Sequence, residues 1–211
     1  MTSNVQCMVA LETIGSLHRA IRDCEESLVY AASQENNIIK GYERQLNNLY
    51  KIKKTITSSK RDFDIKLSKY MTPIIKRSEE AINNLKVLGY GEKTTICHNS
   101  LKEGNIMYSR GKCRIIDWDN MKRMHFLEDT AFFMKRYLRK NADNNDVGNI
   151  DNLYNRYTKY NKLSQWEEDV LGELLKYPHR FAGLLEEYCR KNRGFVPTGI
   201  GGKLEECMRL W

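Results

Sequence analysis

The sequence predicts a mainly α-helical protein with one small β-hairpin. Apolar residues recur every three or four positions through most of the 211 residues, which is the spacing of one face of an α-helix. Short runs of β-branched and apolar residues are concentrated between about residues 94 and 116, and a glycine-containing turn separates two of them. These two observations indicate helices around a short antiparallel pair of strands.

The first 88 residues are predicted to be helical. Residues 1 to about 26 predict one helix, because apolar side chains recur at helical spacing in this stretch. Residues 27–88 predict two or three long amphipathic helices. A boundary is expected near Thr57-Ser58-Ser59, since Ser and Thr favour helix caps. Gly89-Tyr90-Gly91 closes this helical part.

Three short strands are predicted next. Residues 94–97 are β-branched and apolar and predict the first strand. Residues 106–108 and 114–116 predict a hairpin, and Gly111 supplies its turn. After Asp119 the helical pattern is expected to return.

The C-terminal part is predicted to be helical and to contain two irregular stretches. Residues 140–149 are rich in Asn and Asp and predict a polar loop, and the glycine-rich stretch 194–202 is expected to be irregular. Ser164 and Glu167 have the spacing of a capping box at a helix start. The helices that we expect here cover residues 153–160, 166–177 and 179–192.

The composition indicates a folded cytoplasmic protein without a membrane segment. Hydrophobic residues make up 41% of the chain, which argues against wholesale disorder. No apolar run approaches the roughly 20 residues that span a bilayer, and the N-terminus lacks a secretory pattern. The six cysteines form no C-x-x-C pair and are expected to be free thiols. Cys97, His98 and Cys113 do not have the spacing of a zinc motif.

The formal net charge of +8 is compatible with acidic partners such as nucleic acid, anionic lipid or phosphorylated substrates. The basic residues are spread along the chain with acids among them, which favours a solvated helical surface. A nucleic-acid partner is therefore not expected. Residues 154–162, YNRYTKYNK, do interleave basic and aromatic side chains, but they fit a helix with one tyrosine face equally well.

His98, Asn105 and Asp117 have the spacing of a phosphoryl-transfer site. Protein kinases use a catalytic loop H-R-D-x-x-x-x-N followed by D-F-G, in which the loop Asp meets the substrate hydroxyl and the Asn and second Asp hold magnesium. Here His98 begins the loop, Asn105 stands at the Asn position, and Asp117-Trp118-Asp119 follows the two hairpin strands. The alternative is a hairpin with polar ends.

The segment ICHNSLKEGNIMYSRGKCRIIDWDN, residues 96–120, resembles the C-H-x-D-x-x-x-x-N and I-D-[FW]-D patterns of aminoglycoside phosphotransferase and choline-kinase-like proteins. Residues 163–206 are similar to the C-terminal region of CotS-type spore coat kinase-like proteins, including the turn Pro178-His179-Arg180-Phe181. LETIGSLHRA, residues 11–20, is similar to the Leu-His helix of that family. The resemblance covers roughly residues 8–207.

The resemblance implies that residues 1–211 form a single C-terminal lobe of the protein-kinase-like fold. Within it, residues 27–88 would be a helical insertion, residues 94–120 the catalytic-loop and metal segment, and residues 121–211 the C-terminal helices. The implied cofactors are Mg²⁺ and ATP. The implied roles are Asn105 and Asp117 as cofactor-binding metal ligands, Asp119 as a further metal-site residue, His98 as the structural histidine of the loop, and Asp129 as the brace of the loop.

The chain departs from the family pattern in three ways. Ser100 stands at the position of the catalytic Asp, and a serine hydroxyl is not a base near neutral pH. Lys102-Glu103 replaces the usual His-Pro, and Glu103 is a candidate substitute carboxylate one turn away. No glycine-rich phosphate loop or strand lysine precedes residue 94, so the N-terminal lobe is expected to be absent. Gly199–Lys203 lacks the context of a P-loop.

These departures predict a degenerate or truncated phosphotransferase of the CotS family with little or no activity and with weak or lost binding of ATP and Mg²⁺. It is expected in the cytoplasm or the spore coat, with other coat proteins or a separate N-terminal lobe as partners. Two alternatives stay open at this point. The chain is either the C-terminal lobe of an active phosphotransferase for a small hydroxyl substrate, or a basic helical protein that binds nucleic acid or another acidic partner.

Overall fold

The structure, a computed structural model, describes residues 4–24, 37–91, 95–140, 150–190 and 199–209. These residues are mostly helical and contain two small antiparallel sheets, which confirms the mainly α prediction. The helices are α1 (Asn4–Asp23), α2 (Ile38–Thr57), α3 (Asp62–Val87), α4 (Phe126–Lys140), α5 (Ile150–Thr158), α6 (Gln165–Lys176), α7 (His179–Arg190) and α8 (Ile200–Arg209). The strands are β1 (Thr95–Cys97), β2 (Ile106–Ser109), β3 (Lys112–Ile115) and β4 (Lys122–Met124).

The chain divides into two compact units. The described parts of residues 1–37 and 90–175 form the first unit, and those of residues 38–89 and 176–211 form the second. The first unit contains all four strands with α1, α4, α5 and most of α6. The second contains α2, α3, α7 and α8. The organisation expected from the family resemblance, one lobe with an insertion at 27–88, stays a prediction.

In the second unit, α2 and α3 form a helical hairpin that packs against α7 and α8. The predicted boundary near residues 57–59 is confirmed, because α2 ends at Thr57 and α3 begins at Asp62. Asp62 and Asp64 lie in the first turn of α3, where carboxylates interact favourably with the helix dipole. The apolar faces of the four helices meet in one core, which includes Leu49, Ile52, Ile56, Leu67, Met71, Ile74, Phe181, Leu185, Tyr188 and Leu204.

In the first unit, α1 packs closely against α5 and also contacts α4. The ring Nδ1 of His18 on α1 shares a hydrogen bond with the hydroxyl of Tyr157 on α5, at 2.9 Å. Arg22, one turn further along α1, donates to Asn161 at 3.0 Å and forms an ion pair with Glu167 at 3.0 Å. The amphipathic α1 is thus fixed by polar contacts as well as by its apolar face.

The predicted hairpin is confirmed as β2 and β3, with Ile106 opposite Ile115 at its base and Ser109 opposite Lys112 at its turn. Arg110 and Gly111 both have positive φ, 48° and 76°, which matches the twist of a two-residue hairpin turn. The other sheet pairs β1 with β4, Thr95 opposite Met124. The sequence analysis expected helix directly after Asp119 and missed β4, because two of its three residues are charged.

The start of α8 differs from the sequence prediction, and the start of α6 agrees with it. The stretch 194–202 was expected to be irregular, but Ile200–Arg209 is a helix, so the expectation is wrong for residues 200–202. The capping box at α6 is confirmed: the Glu167 carboxylate accepts the Ser164 N–H at 2.7 Å, and the Ser164 hydroxyl accepts the Glu167 N–H at 3.3 Å.

The predicted polar loop at 140–149, the residues 27–36 of the predicted second helical stretch and residues 194–198 of the tail lie outside the described residues, apart from Lys140 at the end of α4. Over the described part of the chain, the helices are too short or too polar to cross a membrane.

Candidate functional site

Two polar segments lie side by side because their ends are held together twice. The first, residues 98–105, leaves β1 and enters β2. The second, residues 116–121, leaves β3 and enters β4. At the hairpin base the Asn105 carbonyl oxygen accepts the Ile116 N–H at 2.9 Å, and at the other end β1 pairs with β4. A further bond joins the segments directly, from the Asn99 side-chain amide to the Asn120 carbonyl at 3.2 Å.

The side-chain amide of Asn105 has a fixed orientation. Its Nδ2 donates to the carbonyl oxygen of Ser100 at 3.0 Å and to the Ser100 hydroxyl at 3.1 Å. A carbonyl oxygen only accepts hydrogen bonds, so the amide nitrogen must face Ser100. The Oδ1 therefore points elsewhere, and it has no hydrogen-bond partner among the described residues. Asn105 is 4% exposed, so burial as well as Ser100 holds this amide in one orientation.

Asp117 lies next to the residue that pairs with Asn105. Its backbone is left-handed, with φ 66° and ψ 62°, a conformation that costs a non-glycine residue on the order of 1 kcal/mol. Its carboxylate is exposed, as is that of Asp119 in the 3₁₀ turn Trp118–Asn120. Within the described residues neither carboxylate has a hydrogen bond or an ion pair. The expected convergence of the Asn105 and Asp117 oxygens on one metal ion stays a prediction.

The oxygen donors of this segment fit a hard divalent cation. Amide and carboxylate oxygens suit Mg²⁺, which binds through one or two carboxylates and keeps several waters. No group of three His, Cys, Asp or Glu side chains in the described ranges could hold a metal alone, so a site here would depend on the Asn105 amide and on water.

His98 is buried where the loop meets the end of the hairpin. Its ring is 1% exposed and packs against the Trp118 ring, with centroids 4.7 Å apart. The Nε2–H donates to the Ile116 carbonyl oxygen at 2.9 Å, because that oxygen cannot donate. His98 therefore joins the start of the loop to the end of the hairpin and leaves no nitrogen available for proton transfer at the surface.

Asp129, in the first turn of α4, holds two backbone amides of the loop. Its Oδ2 accepts the backbone N–H of His98 at 2.7 Å, and its Oδ1 accepts that of Asn99 at 2.9 Å. Asn99 has a positive φ of 56°, so the carboxylate stabilises a loop conformation that is unfavourable by itself. Burial raises the pKa of Asp129 to about 6, although the two amide bonds oppose the rise.

A buried polar layer behind Asp129 was not found from the sequence. The His125 Nδ1 accepts the Leu127 N–H at 3.3 Å and caps α4, and the neighbouring Glu128 accepts the Tyr90 hydroxyl at 2.7 Å. Burial raises the pKa of Glu128 to about 8, while its bonds from Tyr90 and from the backbone lower it. Burial also lowers the pKa of His18 to about 3, and its Nε2 lies 4.0 Å from Asp129. The Leu-Glu-Asp sequence at the helix start was the one available signal.

Ser100 and Glu103 occupy different environments. Ser100 is half-buried, and its hydroxyl accepts a hydrogen bond from the Asn105 amide, so it helps to orient that amide without supplying a charge. Glu103 begins a 3₁₀ turn. Its charge contributes, after burial, to raising the pKa of the Cys7 thiol on α1 to about 12, which places the carboxylate near α1. The structure thus joins Ser100 to Asn105 and His98 to Asp129 by hydrogen bonds.

The chain resembles solved phosphotransferases in fold. An aminoglycoside phosphotransferase from Alicyclobacillus acidocaldarius subsp. acidocaldarius DSM 446 matches with a TM-score of 0.71 and 12% identity over 96% of this chain and 62% of its own. The amicoumacin kinase hAmiN, in complex with AMP-PNP, Ca²⁺ and Ami, matches with a TM-score of 0.59 and 17% identity over 98% of this chain and 58% of its own. APH(2")-IIa, in its complex with gentamicin, matches with a TM-score of 0.52 and 14% identity over 99% of this chain and 64% of its own.

The chain spans roughly three-fifths of the length of these structures, and at such identities the likeness shows the fold alone. No protein of curated function matches the sequence. Residues 12–166, which include the whole of the site described above, match the model of the phosphotransferase enzyme family. The chain therefore belongs to the phosphotransferase enzyme family.

Proposed function

We propose that this chain is a kinase-like C-terminal lobe that binds a divalent cation weakly and transfers no phosphate on its own. The family membership and the fold support a phosphotransferase ancestry. The observation that carries the proposal is Ser100, which stands at the position of the catalytic acid and whose hydroxyl is engaged by Asn105 at 3.1 Å. The sequence has Asn105 and Asp117 at the positions expected for metal ligands, and serine at the position expected for the catalytic acid.

The cation would be held by Asn105 and Asp117, with Asp119 as a further carboxylate nearby. Ser100 turns the Asn105 amide so that its oxygen is the free atom, and the Asp117 carboxylate is exposed and has no ion pair among the described residues. When bound, Mg²⁺ supplies positive charge to the phosphates of a nucleotide. Two protein oxygens and several waters give weak binding.

Phosphoryl transfer to a hydroxyl would lack two contributions in this chain. In such a reaction the γ-phosphorus forms a bond to the acceptor oxygen, the bond to the ADP oxygen breaks, and the acceptor proton leaves to a base. A serine hydroxyl neither takes that proton near neutral pH nor orients the acceptor as a carboxylate does, which removes on the order of 10²–10⁴-fold in rate. The sequence of residues 1–94 also contains no G-x-G-x-x-G motif of the kind that holds phosphates.

We also propose that the chain belongs to the CotS-type branch and acts at the spore coat, in contact with other coat proteins. The support is the similarity of residues 11–20 and 163–206 to that branch. A separate N-terminal lobe is a second proposed partner, because it would supply the missing phosphate contacts.

An active C-terminal lobe is the second candidate function. It is favoured by the geometry that surrounds Ser100. The oriented Asn105 amide, the left-handed Asp117 and the Asp129 hydrogen bonds to the loop are all present, although serine stands at the position of the acid. In this case another carboxylate would orient the acceptor, and Asp119 and Glu103 are the candidates.

Transfer of phosphate from ATP to choline, aminoglycosides and protein separates the two functions. The wild-type chain is compared with Ser100→Asp and with the uncharged, equally sized Ser100→Asn, each with and without the N-terminal lobe of a related protein. We expect no turnover by the wild-type chain or by Ser100→Asn. Turnover by Ser100→Asp only when the lobe is added would show that both parts are required. Robust turnover by the wild-type chain alone would contradict the proposal and favour the second candidate.

Cation binding is measured separately, with Mn²⁺ as a paramagnetic probe of the site. We expect weak binding that Asp117→Asn and Asn105→Ala each reduce about tenfold, while Asp151→Asn on α5 leaves it unchanged, since that exposed carboxylate lies outside the site. Equal binding by all four proteins would show that Asn105 and Asp117 do not hold the ion.

A further inference from the structure

The net positive charge of the chain is concentrated on the α2–α3 hairpin. Residues 38–89 contain twelve Lys and Arg against five Asp and Glu, so this segment carries nearly all of the formal net charge of +8. Outside this segment the basic residues are nearly offset by acids. A charge of one sign on one element produces a local potential that a dispersed charge does not.

Two ion pairs within the hairpin lie away from its turn. Towards the start of α2 and the end of α3, Lys86 pairs with Glu43 at 2.6 Å, and Lys76 pairs with Glu80 at 3.8 Å. At the turn between the helices, five exposed side chains have no carboxylate partner among the described residues. We call them the basic tip: Lys51, Lys54, Lys60, Arg61 and Lys69.

Acidic groups near the basic tip do not offset it. Residues 51–69 contain two acids, Asp62 and Asp64. Asp64 is 1% exposed and accepts the Tyr188 hydroxyl at 2.8 Å, so its charge is directed into the core. Lys66, which does pair with Glu205 at 2.5 Å, is not counted in the tip. Five cations against one exposed carboxylate thus remain.

The basic tip is held in place by the core beneath it. Ile52 and Ile56 of α2 and Leu67 of α3 are buried in the apolar cluster of the second unit. A charged partner therefore meets an ordered set of cations and does not first have to order a loop, which lowers the entropic cost of binding.

We propose that the basic tip binds nucleic acid through its phosphate backbone and without reading its sequence. Repeated phosphates match several unpaired Lys and Arg on one rigid element, and such contacts position a nucleic acid but do not specify a sequence. A bilayer surface is disfavoured because Ile65, at 48% exposure, is the one large apolar side chain exposed within residues 51–69 of the described chain. Insertion into the headgroup region needs a larger apolar face. The inference is independent of the proposed phosphotransferase site.

The test is fluorescence anisotropy with labelled single-stranded and duplex oligonucleotides over a series of salt concentrations. The tip variant is Lys54→Gln, Lys60→Gln and Lys69→Gln combined. The matched control combines Lys162→Gln, Arg180→Gln and Lys203→Gln, which removes the same charge from exposed positions outside the hairpin. Circular dichroism verifies that both variants stay helical, and the pair Lys51→Gln with Lys54→Gln serves as a second tip variant.

We expect the tip variants to bind about tenfold or more weakly, while the control stays within about twofold of the wild type. The slope of log K against log salt should fall in the triple tip variant by about 2, because each phosphate contact contributes roughly 0.7 to 0.9. Equal weakening of the control and tip variants would overturn the proposal, since binding would then follow total charge. No binding by the wild type, or binding only to phosphatidylserine vesicles, would overturn it as well.

Discussion

At the scale of the residue, Asp129 determines the shape of the loop that begins at His98. One buried carboxylate accepts two successive backbone amides and so stabilises the left-handed Asn99. The amide geometry at Asn105 and the proposed metal ligands follow from this loop. Asp129 was identified from the resemblance, whereas the partners that surround it come from distant parts of the chain and have no local signature.

Asp129→Asn should lower the free energy of unfolding by about 2 kcal/mol at pH 7.5, because an amide can accept only one of the two backbone bonds. Urea denaturation measures the change, and Asp117→Asn is the control, since the exposed Asp117 carboxylate has no partner to lose in the described structure. Equal effects of the two substitutions would mean that the brace contributes no stability.

Glu128 should make the protein less stable as the pH rises from about 4.5 to about 8. Its folded-state pKa is raised to about 8 by burial, so over this range the folded protein holds a proton that the unfolded chain has released. Between pH 6.5 and 8 the loss is about 2 kcal/mol. This window lies above the folded pKa of Asp129, about 6. His18, with its lowered folded pKa of about 3, adds a small opposite change at the start of the window, where the unfolded histidine is still losing its proton.

Glu128→Gln removes this titration and keeps an oxygen that accepts the Tyr90 hydroxyl. We expect its free energy of unfolding to change less between pH 6.5 and 8 than that of the wild type. Denaturant titrations at several pH values test the difference, and parallel pH profiles would show that Glu128 ionises normally in the folded protein.

At the scale of the element, a close contact of α1 with α5 depends on one glycine. A Cβ at Gly15 would lie 2.5 Å from the backbone oxygen of Tyr157, closer than real Cβ atoms approach. The absence of a side chain at Gly15 therefore allows the two helices to pack together.

Gly15→Ala should destabilise the protein by about 2 kcal/mol because the helices must move apart. Gly172→Ala, in the middle of α6 and with nothing within 4 Å, is the control and should stabilise by up to about 1 kcal/mol through helix propensity. Thermal unfolding of both variants distinguishes the effects. A stable Gly15→Ala protein would show that the contact can adjust.

The elements with a local signal were predictable, and those defined by distant pairing were not. The hairpin was found because turn and strands are adjacent, and the boundary after Thr57 because Ser and Thr mark helix ends. β4 was missed because it becomes a strand only through β1, which lies some 25 residues away. α8 was missed because Gly201 and Gly202 weaken the helical signal that packing then overrides.

At the scale of the whole molecule, residues adjacent in the fold are far apart in the chain. The second unit combines residues 38–89 with residues 176–211, and its core contains side chains from both. The motif residues were predictable because phosphoryl transfer fixes their spacing. The division into units was not, because the apolar face of α7 gives no indication of which helix covers it.

A variant in which a short Gly-Ser linker replaces residues 38–89 should lose the helicity of α7 and α8 as well. Phe181, Leu185 and Tyr188 would lose the apolar partners that α2 and α3 supply. Far-UV circular dichroism and hydrogen exchange measure the loss. If proteolysis removes residues 38–89 while residues 90–211 stay folded, the predicted insertion is a separate domain instead.

The contact of His18 with Tyr157 has a consequence for how the protein is made. The two residues are 139 positions apart, so α1 leaves the ribosome long before its partner helix exists. At 5–20 residues per second the wait is on the order of 10 s. During that time the face of α1 that carries Leu11 and Ile14 has no cover from α5, although both side chains end up fully buried. We therefore expect this apolar face of α1 to bind chaperones until α5 has been synthesised.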